Sequence, residues 1–170
     1  QFLAGPIGTN CYLLINEKTK EAVIVDPASC PDYMMNYIKS EEIKLKAVLL
    51  THAHFDHIMG IDSILENWNI PVYVEEEDLP IMTDPELNLS SSYTDPQQNM
   101  TMSCGFPYAY KGAQAVQDGQ VLSLISYEFK VLHTPGHTPG GCCYYIASEH
   151  VLISGDTLFQ QSIGRTDFPG

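Results

Sequence analysis

Three histidines and one aspartate stand within six positions, directly after a short apolar run at residues 45–50. The run has the length and composition of a strand that is buried on both faces of a sheet. The four side chains that follow it are His52, His54, Asp56 and His57. Imidazole and carboxylate groups are the ligands that Zn²⁺ and related divalent ions prefer. The pattern therefore predicts a metal centre in the loop after a strand, where α/β folds place their sites.

The spacing of these four residues allows two metal positions. In an extended segment, His52 and His54 point to the same side because alternate residues of a strand share a face. Asp56 and His57, at the turn into the next helix, can face a second point nearby. Two neighbouring ions can hold a bridging hydroxide whose pKa is lowered toward neutrality.

Two later segments offer the ligands that would complete such a centre. Residues 133–140 form a loop rich in Gly and Pro, which can hold the imidazole of His137 rigidly. We favour His137 over His133, because His133 lies on the preceding strand and can face inward as a structural residue. Asp156 follows the apolar run 151–154 and can bridge two ions through its two carboxylate oxygens.

The order of the predicted elements indicates an α/β domain. Strands are predicted at residues 11–15, 22–25, 45–50 and 71–74, helices at 31–43, 60–68 and 75–82, and a later strand meander at 121–126, 127–133, 141–147 and 151–154. Residues 83–112 show no periodic pattern. We predict an irregular excursion there, which either covers part of the site or is a mobile loop without a role. We expect residues 1–170 to form one domain.

Composition argues against several classes of function. The net charge is −13 and the 8 Lys and Arg residues are scattered, whereas nucleic-acid binding requires clustered basic residues. No apolar run approaches the roughly 20 residues that cross a bilayer, and residues 1–10 show no signal-peptide pattern. The 5 cysteines form no C-x-x-C pair, which favours reduced thiols and a cytoplasmic location.

The run at residues 51–57, with His137 and Asp156 at their spacings, resembles the ligand pattern of the metallo-β-lactamase superfamily. Segments 5–12 and 155–167 are similar to those of its glyoxalase II-like branch, and the resemblance covers essentially the whole chain. It implies an α/β fold of the αβ/βα type, a four-layer sandwich in which helices flank two sheets.

The resemblance also implies a set of site residues. The implied metal ligands are His52, His54 and His137 for a first zinc ion, Asp56 and His57 for a second, and Asp156 as the bridge. Asp26 matches a family aspartate that supports the ligands from behind, although a turn residue after a strand would look the same. Arg165 either pairs with Asp167 or binds a substrate carboxylate.

One departure from the family pattern concerns the end of the sequence. The pattern includes a further histidine some tens of residues after the segment 155–157, and the 170 residues contain none there. We therefore expect a C-terminally truncated piece, with an incomplete second half and a weakened second metal position.

The activity that the resemblance implies is hydrolysis of a thioester or related acyl bond in a small molecule. A metal-bound hydroxide would attack the carbonyl, and Asp56 would orient it as the catalytic residue. A second interpretation is a persulfide dioxygenase, in which His52, His137 and Asp156 hold a single iron. A third interpretation is an inactive metal-binding fragment of such an enzyme.

Overall fold

Parallel strands at the centre of a six-stranded sheet carry the most apolar sequence of the first half of the chain. The sheet belongs to a computed structural model that describes residues 1–5, 7–91, 93–95, 100–102 and 107–168. Its strands are Phe2–Ala4 (β1), Thr9–Asn16 (β2), Glu21–Val25 (β3), Lys44–Leu49 (β4), Val72–Glu75 (β5) and Gln114–Val116 (β8), in the spatial order β1-β2-β3-β4-β5-β8. β3, β4, β5 and β8 are parallel to one another. β2 pairs with β3 antiparallel, and β1 pairs with β2 antiparallel.

The second sheet is the predicted meander of the later half. Its strands are Val121–Leu124 (β9), Tyr127–His133 (β10), Cys142–Ile146 (β11) and Val151–Ile153 (β12), in the order β12-β11-β10-β9. All its pairings are antiparallel. Two short hairpins complete the strands: Tyr93–Asp95 (β6) with Met100–Met102 (β7), and Leu158–Phe159 (β13) with Ser162–Ile163 (β14).

Alternation along β3 divides the interior into two cores. Val23 and Val25 point toward the second sheet, where they share a core with Phe129 of β10. Ala22 and Ile24 point the other way and pack with the helices. This arrangement follows from the period of two of a strand that is covered on both faces.

Four α-helices cover the outer face of the first sheet. They are Asp32–Ser40 (α1), Phe55–Ile58 (α2), Ile61–Leu65 (α3) and Leu79–Thr83 (α4). Buried apolar side chains of each contribute to the core on this face, among them Met34, Ile58, Ile61 and Met82. The predicted α/β fold is confirmed as helix, sheet and sheet layers. Within the described ranges no α-helix follows Thr83, so the fourth layer is not seen there.

Several predicted boundaries are wrong. The first helix ends at Ser40, before Glu42 turns into the left-handed region with a φ of 55°. The helix predicted at 60–68 begins close to its predicted start, as α3, but ends at Leu65. A separate short helix that was not predicted, α2, lies inside the histidine run after the extended residue His54. The helix predicted at 75–82 is a strand end, a 3-10 turn and then α4. Glu75 remains in the strand, and its side chain accepts a hydrogen bond from the N–H of Glu77.

The excursion predicted at 83–112 contains ordered structure. It includes the hairpin of β6 and β7. Residues near the two ends of the excursion are joined by a hydrogen bond, in which the side-chain amide of Asn88 donates to the carbonyl of Tyr108. The carbonyl of Asn88 accepts from the N–H of Phe55, so the excursion is anchored to the start of α2. Whether it covers the site stays a prediction, because residues 92, 96–99 and 103–106 lie outside the described residues.

None of the helices in the described part of the chain has the length and apolar character needed to cross a bilayer.

Candidate metal centre

The segments that carry the predicted ligands meet at one edge of the two sheets. Asp26 follows β3 and His52 follows β4, and parallel neighbours end at the same edge. β10 and β12 are both antiparallel to β11, so His137 and Asp156 follow strands that also end together. The sheets are joined here by the N–H of Cys142, which donates to the carbonyl of Thr51 over 2.8 Å.

A first group of possible ligands consists of His52, His54 and His137. One ring nitrogen of each lies within 4.8 Å of the others. Nδ1 of His54 is 3.0 Å from Nε2 of His137, and the two rings meet edge to face. Ligand atoms at about 2.0–2.1 Å from a tetrahedral zinc ion lie roughly 3.4 Å apart, so this spacing suits one shared ion.

A second group consists of His52, His57 and Asp156, again within 4.8 Å. Oδ1 of Asp156 is 3.5 Å from Nε2 of His57, and Oδ2 is 3.4 Å from Nε2 of His137. One carboxylate therefore faces both groups, as a bridging ligand would. Asp56 is in neither group, but its Oδ2 is 3.3 Å from Nε2 of His57.

These residues fit a divalent metal ion. Nε2 of His52 is buried and has no hydrogen-bond partner among the described residues, and an unpaired buried polar atom is costly unless something binds it. The same imidazole belongs to both groups. A metal ion at this point would satisfy the orphaned nitrogen and would explain why polar rings gather where water is largely excluded.

The pKa values of the clustered histidines are shifted in opposite directions: those of His52 and His54 are lowered, and that of His57 is raised. Burial, followed by the neighbouring imidazoles, lowers the pKa of His52 well below its ordinary value and that of His54 to about 3. Both rings are therefore neutral at pH 7, which is the form that binds metals. Burial also disfavours a charged His57, but the carboxylates of Asp56, Asp26 and Asp156 outweigh it and raise the pKa of His57. Such a concentration of carboxylates around one ring is an environment that a cation would neutralise.

Asp26 lies behind the cluster, where the family resemblance implied a supporting aspartate, and it bonds to the residue before His52. Its Oδ1 accepts from the N–H of Thr51 over 2.8 Å, and its Oδ2 accepts from the Thr51 hydroxyl over 2.7 Å. Oδ2 also lies 3.0 Å from Nδ1 of His57. The backbone of Asp26 has a φ of 51°, a strained region that aspartate enters more readily than most residues.

Replacing Asp26 with asparagine should weaken metal binding by about 10–100-fold, the usual cost of losing the partner of a metal ligand. The amide would present N–H groups where Thr51 donates or where His57 is held. Competition with a chromophoric chelator measures the change. Asp32→Asn, at the exposed start of α1, removes the same charge away from the site. Equal affinities in the two variants would contradict the supporting role.

The segment after β14 holds His137 from the other side. The carbonyl of Arg165 lies 2.9 Å from Nδ1 of His137, which fixes the ring and leaves Nε2 facing the cluster. The Phe168 ring meets the rings of both His54 and His137 edge-on. The Arg165 guanidinium forms the predicted ion pair with Asp167 and also lies 4.5 Å from the centre of the Phe168 ring.

His133 is not part of the cluster, in agreement with the preference for His137. Its Nε2 lies 2.7 Å from the carbonyl of Pro139, so it braces the Gly/Pro loop. The backbone N–H of His133 donates to Asp118. This residue is therefore structural.

Sequence reasoning missed two residues that hydrogen-bond either to a predicted ligand or to the loops that carry the ligands. The Thr9 hydroxyl donates to Oδ2 of Asp56. The other is Asp78, a fully buried carboxylate beyond β5 that binds both histidine-bearing loops. The rule that strand ends gather at one edge could have found Asp78, because it follows the next parallel strand after β4.

The described cysteines are buried away from solvent. Cys11, Cys30, Cys142 and Cys143 are all buried and free. Burial raises the pKa of Cys30 to about 11 and raises those of Cys11 and Cys142 further, so these three remain protonated. Cys104 lies outside the described residues.

A cavity of about 360 Å³ opens onto the second group. Asp56, His57 and Asp156 line it together with the two residues of β13 and the segment that leads into β2. Leu158 and Phe159 of β13 are 52% and 46% exposed, which leaves apolar surface beside the polar cluster. A small organic substrate can therefore reach the metal-binding edge.

The chain is similar to known proteins in both sequence and structure. The family model described as the metallo-beta-lactamase superfamily matches residues 4–170. The chain belongs to the metallo-β-lactamase superfamily. A relative in Bacillus subtilis, named probable metallo-hydrolase YqgX, is 38% identical over 167 residues, which cover 98% of this chain and 74% of that protein. The hydroxyacylglutathione hydrolase GloC of Haemophilus influenzae is 29% identical over 94% of this chain and 71% of its own length.

Solved structures agree with the family. The B3 metallo-beta-lactamase BLEG-1 is 43% identical with a TM-score of 0.86, covering all of this chain and 77% of that one. TTHA1623, solved in a di-iron-bound form, is 30% identical with a TM-score of 0.77 over 99% of this chain and 77% of its own. ETHE1 from Myxococcus xanthus is 25% identical with a TM-score of 0.66 over 94% and 57%. Together with the histidine cluster, these likenesses support a divalent metal cofactor.

Proposed function

We propose that this protein is a metal-dependent hydrolase that cleaves a thioester or related acyl bond. The observation that carries the proposal is the position of Asp56, His57 and Asp156, which border the 360 Å³ cavity while facing the buried histidines. A bound divalent metal would polarise a carbonyl oxygen and lower the pKa of bound water. The metallo-hydrolase name of the Bacillus relative and the activity named for GloC support a hydrolase.

In this proposal His52, His54 and His137 hold a first zinc ion, and His57, Asp56 and Asp156 hold a second. The His-rich donor set suits zinc, although iron in the same ligands is the alternative. The number of nitrogen and carboxylate donors exceeds what one ion requires. We therefore favour two positions, with Asp156 between them because its two oxygens face His57 and His137.

The side chains have separate tasks in this proposal. Asp56 orients the attacking water, since its Oδ2 is fixed by the Thr9 hydroxyl at the border of the cavity. The apolar side chains of Leu158 and Phe159 pack against the acyl part of the substrate. A departing thiol ionises near neutrality, so its departure needs little help from a general acid. This makes a thioester better matched to the site than an ester.

The test is release of free thiol from S-lactoylglutathione by the zinc-loaded chain, followed with a thiol reagent. We expect turnover well above buffer, and a loss of turnover in the Asp56→Asn variant, in which His52, His54 and His137 should still bind the first zinc ion. A β-lactam chromogenic substrate is assayed in parallel, because BLEG-1 is a named B3 metallo-β-lactamase. Thiol release at the buffer rate would reject the thioester proposal, and β-lactam turnover alone would replace it.

A second candidate is a mononuclear-iron persulfide dioxygenase, in which His52, His137 and Asp156 hold the iron. The likeness to TTHA1623, which was solved in a di-iron-bound form, supports iron as the metal. The closeness of Asp56 to His57 argues for the hydrolase, because a one-iron site does not need these two ligands. Oxygen uptake with glutathione persulfide by the iron-loaded chain, without thioester cleavage, would establish the dioxygenase instead.

A further inference from the structure

We propose that Asp78 is a positioning residue that locks the two histidine-bearing loops together and so sets the geometry of the His52, His54 and His137 group. The inference rests on the metal centre proposed above. Asp78 does not contact that group itself, and it lies beyond the end of β5, in the 3-10 turn Glu76–Asp78. Its role is exerted through the backbone of the neighbouring loops.

Three hydrogen bonds carry the inference. Oδ2 of Asp78 accepts from the N–H of Ala53 over 2.8 Å, and Ala53 stands between His52 and His54. The same oxygen accepts from the hydroxyl of Thr138, the residue after His137, over 2.9 Å. Oδ1 accepts from the N–H of Gly140, farther along the same loop, over 2.7 Å. One carboxylate thus ties a loop of the first sheet to a loop of the second.

The packing around Asp78 leaves no room for another arrangement. Gly140 lies so close that a Cβ on it would be 2.8 Å from the Cβ of Asp78. The loop that carries His137 therefore packs directly against the backbone of residue 78. His54 and His137 are in turn 3.0 Å apart, so a shift of either loop would separate two ligand atoms.

The chemistry of Asp78 suggests a reason for a carboxylate at this position. Its side chain is fully buried, and the three groups that donate to it are neutral. Burying a carboxylate costs free energy, so stability alone does not favour one here. Asparagine has a single acceptor oxygen and would turn an N–H₂ group toward one of the three donors. Only the carboxylate satisfies donors on both of its oxygens.

The test compares Asp78→Asn with a matched control, Asn16→Ala. Asn16 is also buried, and its side chain also makes three hydrogen bonds, to Lys18, Thr19 and Ile125, at the far end of β2. Zinc affinity is measured by chelator competition, and ligand geometry by the visible absorption of the Co²⁺-loaded protein. We expect Asp78→Asn to bind zinc about 10–100-fold more weakly and to show a changed Co²⁺ spectrum. Asn16→Ala should lower the melting temperature without changing either property.

Thr138→Val is a milder variant in case Asp78→Asn does not fold. It keeps the shape of the side chain, removes only the hydroxyl that donates to Asp78, and should weaken zinc binding in the same direction. Wild-type affinity and spectrum in both variants would overturn the inference, as would an equal loss in Asn16→Ala. Wild-type protein that binds no metal would overturn the metal centre as well. Because no substrate is used, failure of thioester cleavage would not affect the result.

Discussion

Replacing His52 with alanine is expected to abolish tight metal binding and to lower hydrolysis of the preferred substrate by more than about 100-fold, since losing even an outer partner of a metal ligand costs 10–100-fold. Replacing His52 should cause the largest loss of metal affinity of any single substitution, because its imidazole belongs to both groups of ligand atoms. The ring is also buried, and its Nε2 has no partner among the described residues. No other described group therefore occupies the place where this nitrogen would bind a metal ion. Metal content after dialysis and steady-state kinetics measure the two effects.

His150→Asn serves as the control for His52→Ala. His150 is exposed and lies in the turn between β11 and β12, at the opposite end of β12 from Asp156. Its φ of 54° is one that asparagine accommodates, so the variant changes one imidazole without straining the backbone. It should keep wild-type metal content and rate. A His52→Ala protein with the same metal content as His150→Asn would contradict the assignment of His52.

Gly155→Ala is expected to destabilise the fold by about 2–5 kcal/mol, combining left-handed strain with overpacking. Gly155 has a φ of 49°, and an added Cβ would lie 2.6 Å from the Cβ of Thr51. Thr51 precedes His52 and donates to Asp26, so the clash would displace the histidine run relative to Asp156. The melting temperature should fall by roughly 4–20 °C, given about 2–4 °C per kcal/mol for a chain of this size.

Gly119→Ala separates the two causes of that loss. Gly119 has a φ of 74°, but an added Cβ there would meet nothing within 4 Å. It should therefore show only the conformational strain of about 1–2 kcal/mol and no loss of metal affinity. Calorimetry and chelator competition on the two variants provide the comparison. Equal melting temperatures and equal metal affinities would show that the close approach of Gly155 to Thr51 does not hold the site.

The predicted ligands could be found from the sequence because each one stands in a recognisable local sequence pattern. His52, His54 and His57 form a dense run after an apolar strand, and the strand direction determines where that run lies. His137 is marked by its Gly/Pro loop and Asp156 by the strand before it. The structure brings these side chains to within ligand spacing, although their binding of metal remains a prediction.

The residues that hold the ligands were harder to predict because their partners are distant in sequence. Asp78 stands in an acidic run that has the composition of an exposed helix, and only its contacts with Ala53 and Gly140 explain its burial. Thr9 contacts Asp56, 47 positions away. Hydrogen bonds across such separations depend on the tertiary packing, which local patterns do not record.

Some helices and strands were predicted wrongly for a related reason. Periodicity predicts a helix from Gly60 onward, and α3 begins there at Ile61, but the pattern missed α2, which begins at Phe55. The carbonyl of Asn88, in the excursion at 83–112, accepts from the Phe55 N–H, so the start of α2 has a contact that is distant in sequence. Strands β1 and β8 were also missed, because three-residue edge strands show too little alternation to predict.

Anomalous X-ray scattering from crystals grown with zinc would locate the metal independently of activity. We predict a peak at the zinc absorption edge in contact with His52, His54 and His137, with Asp156 beside it. A zinc-loaded crystal in which these three side chains contact no peak, while zinc occupies another position, would contradict the proposed metal centre.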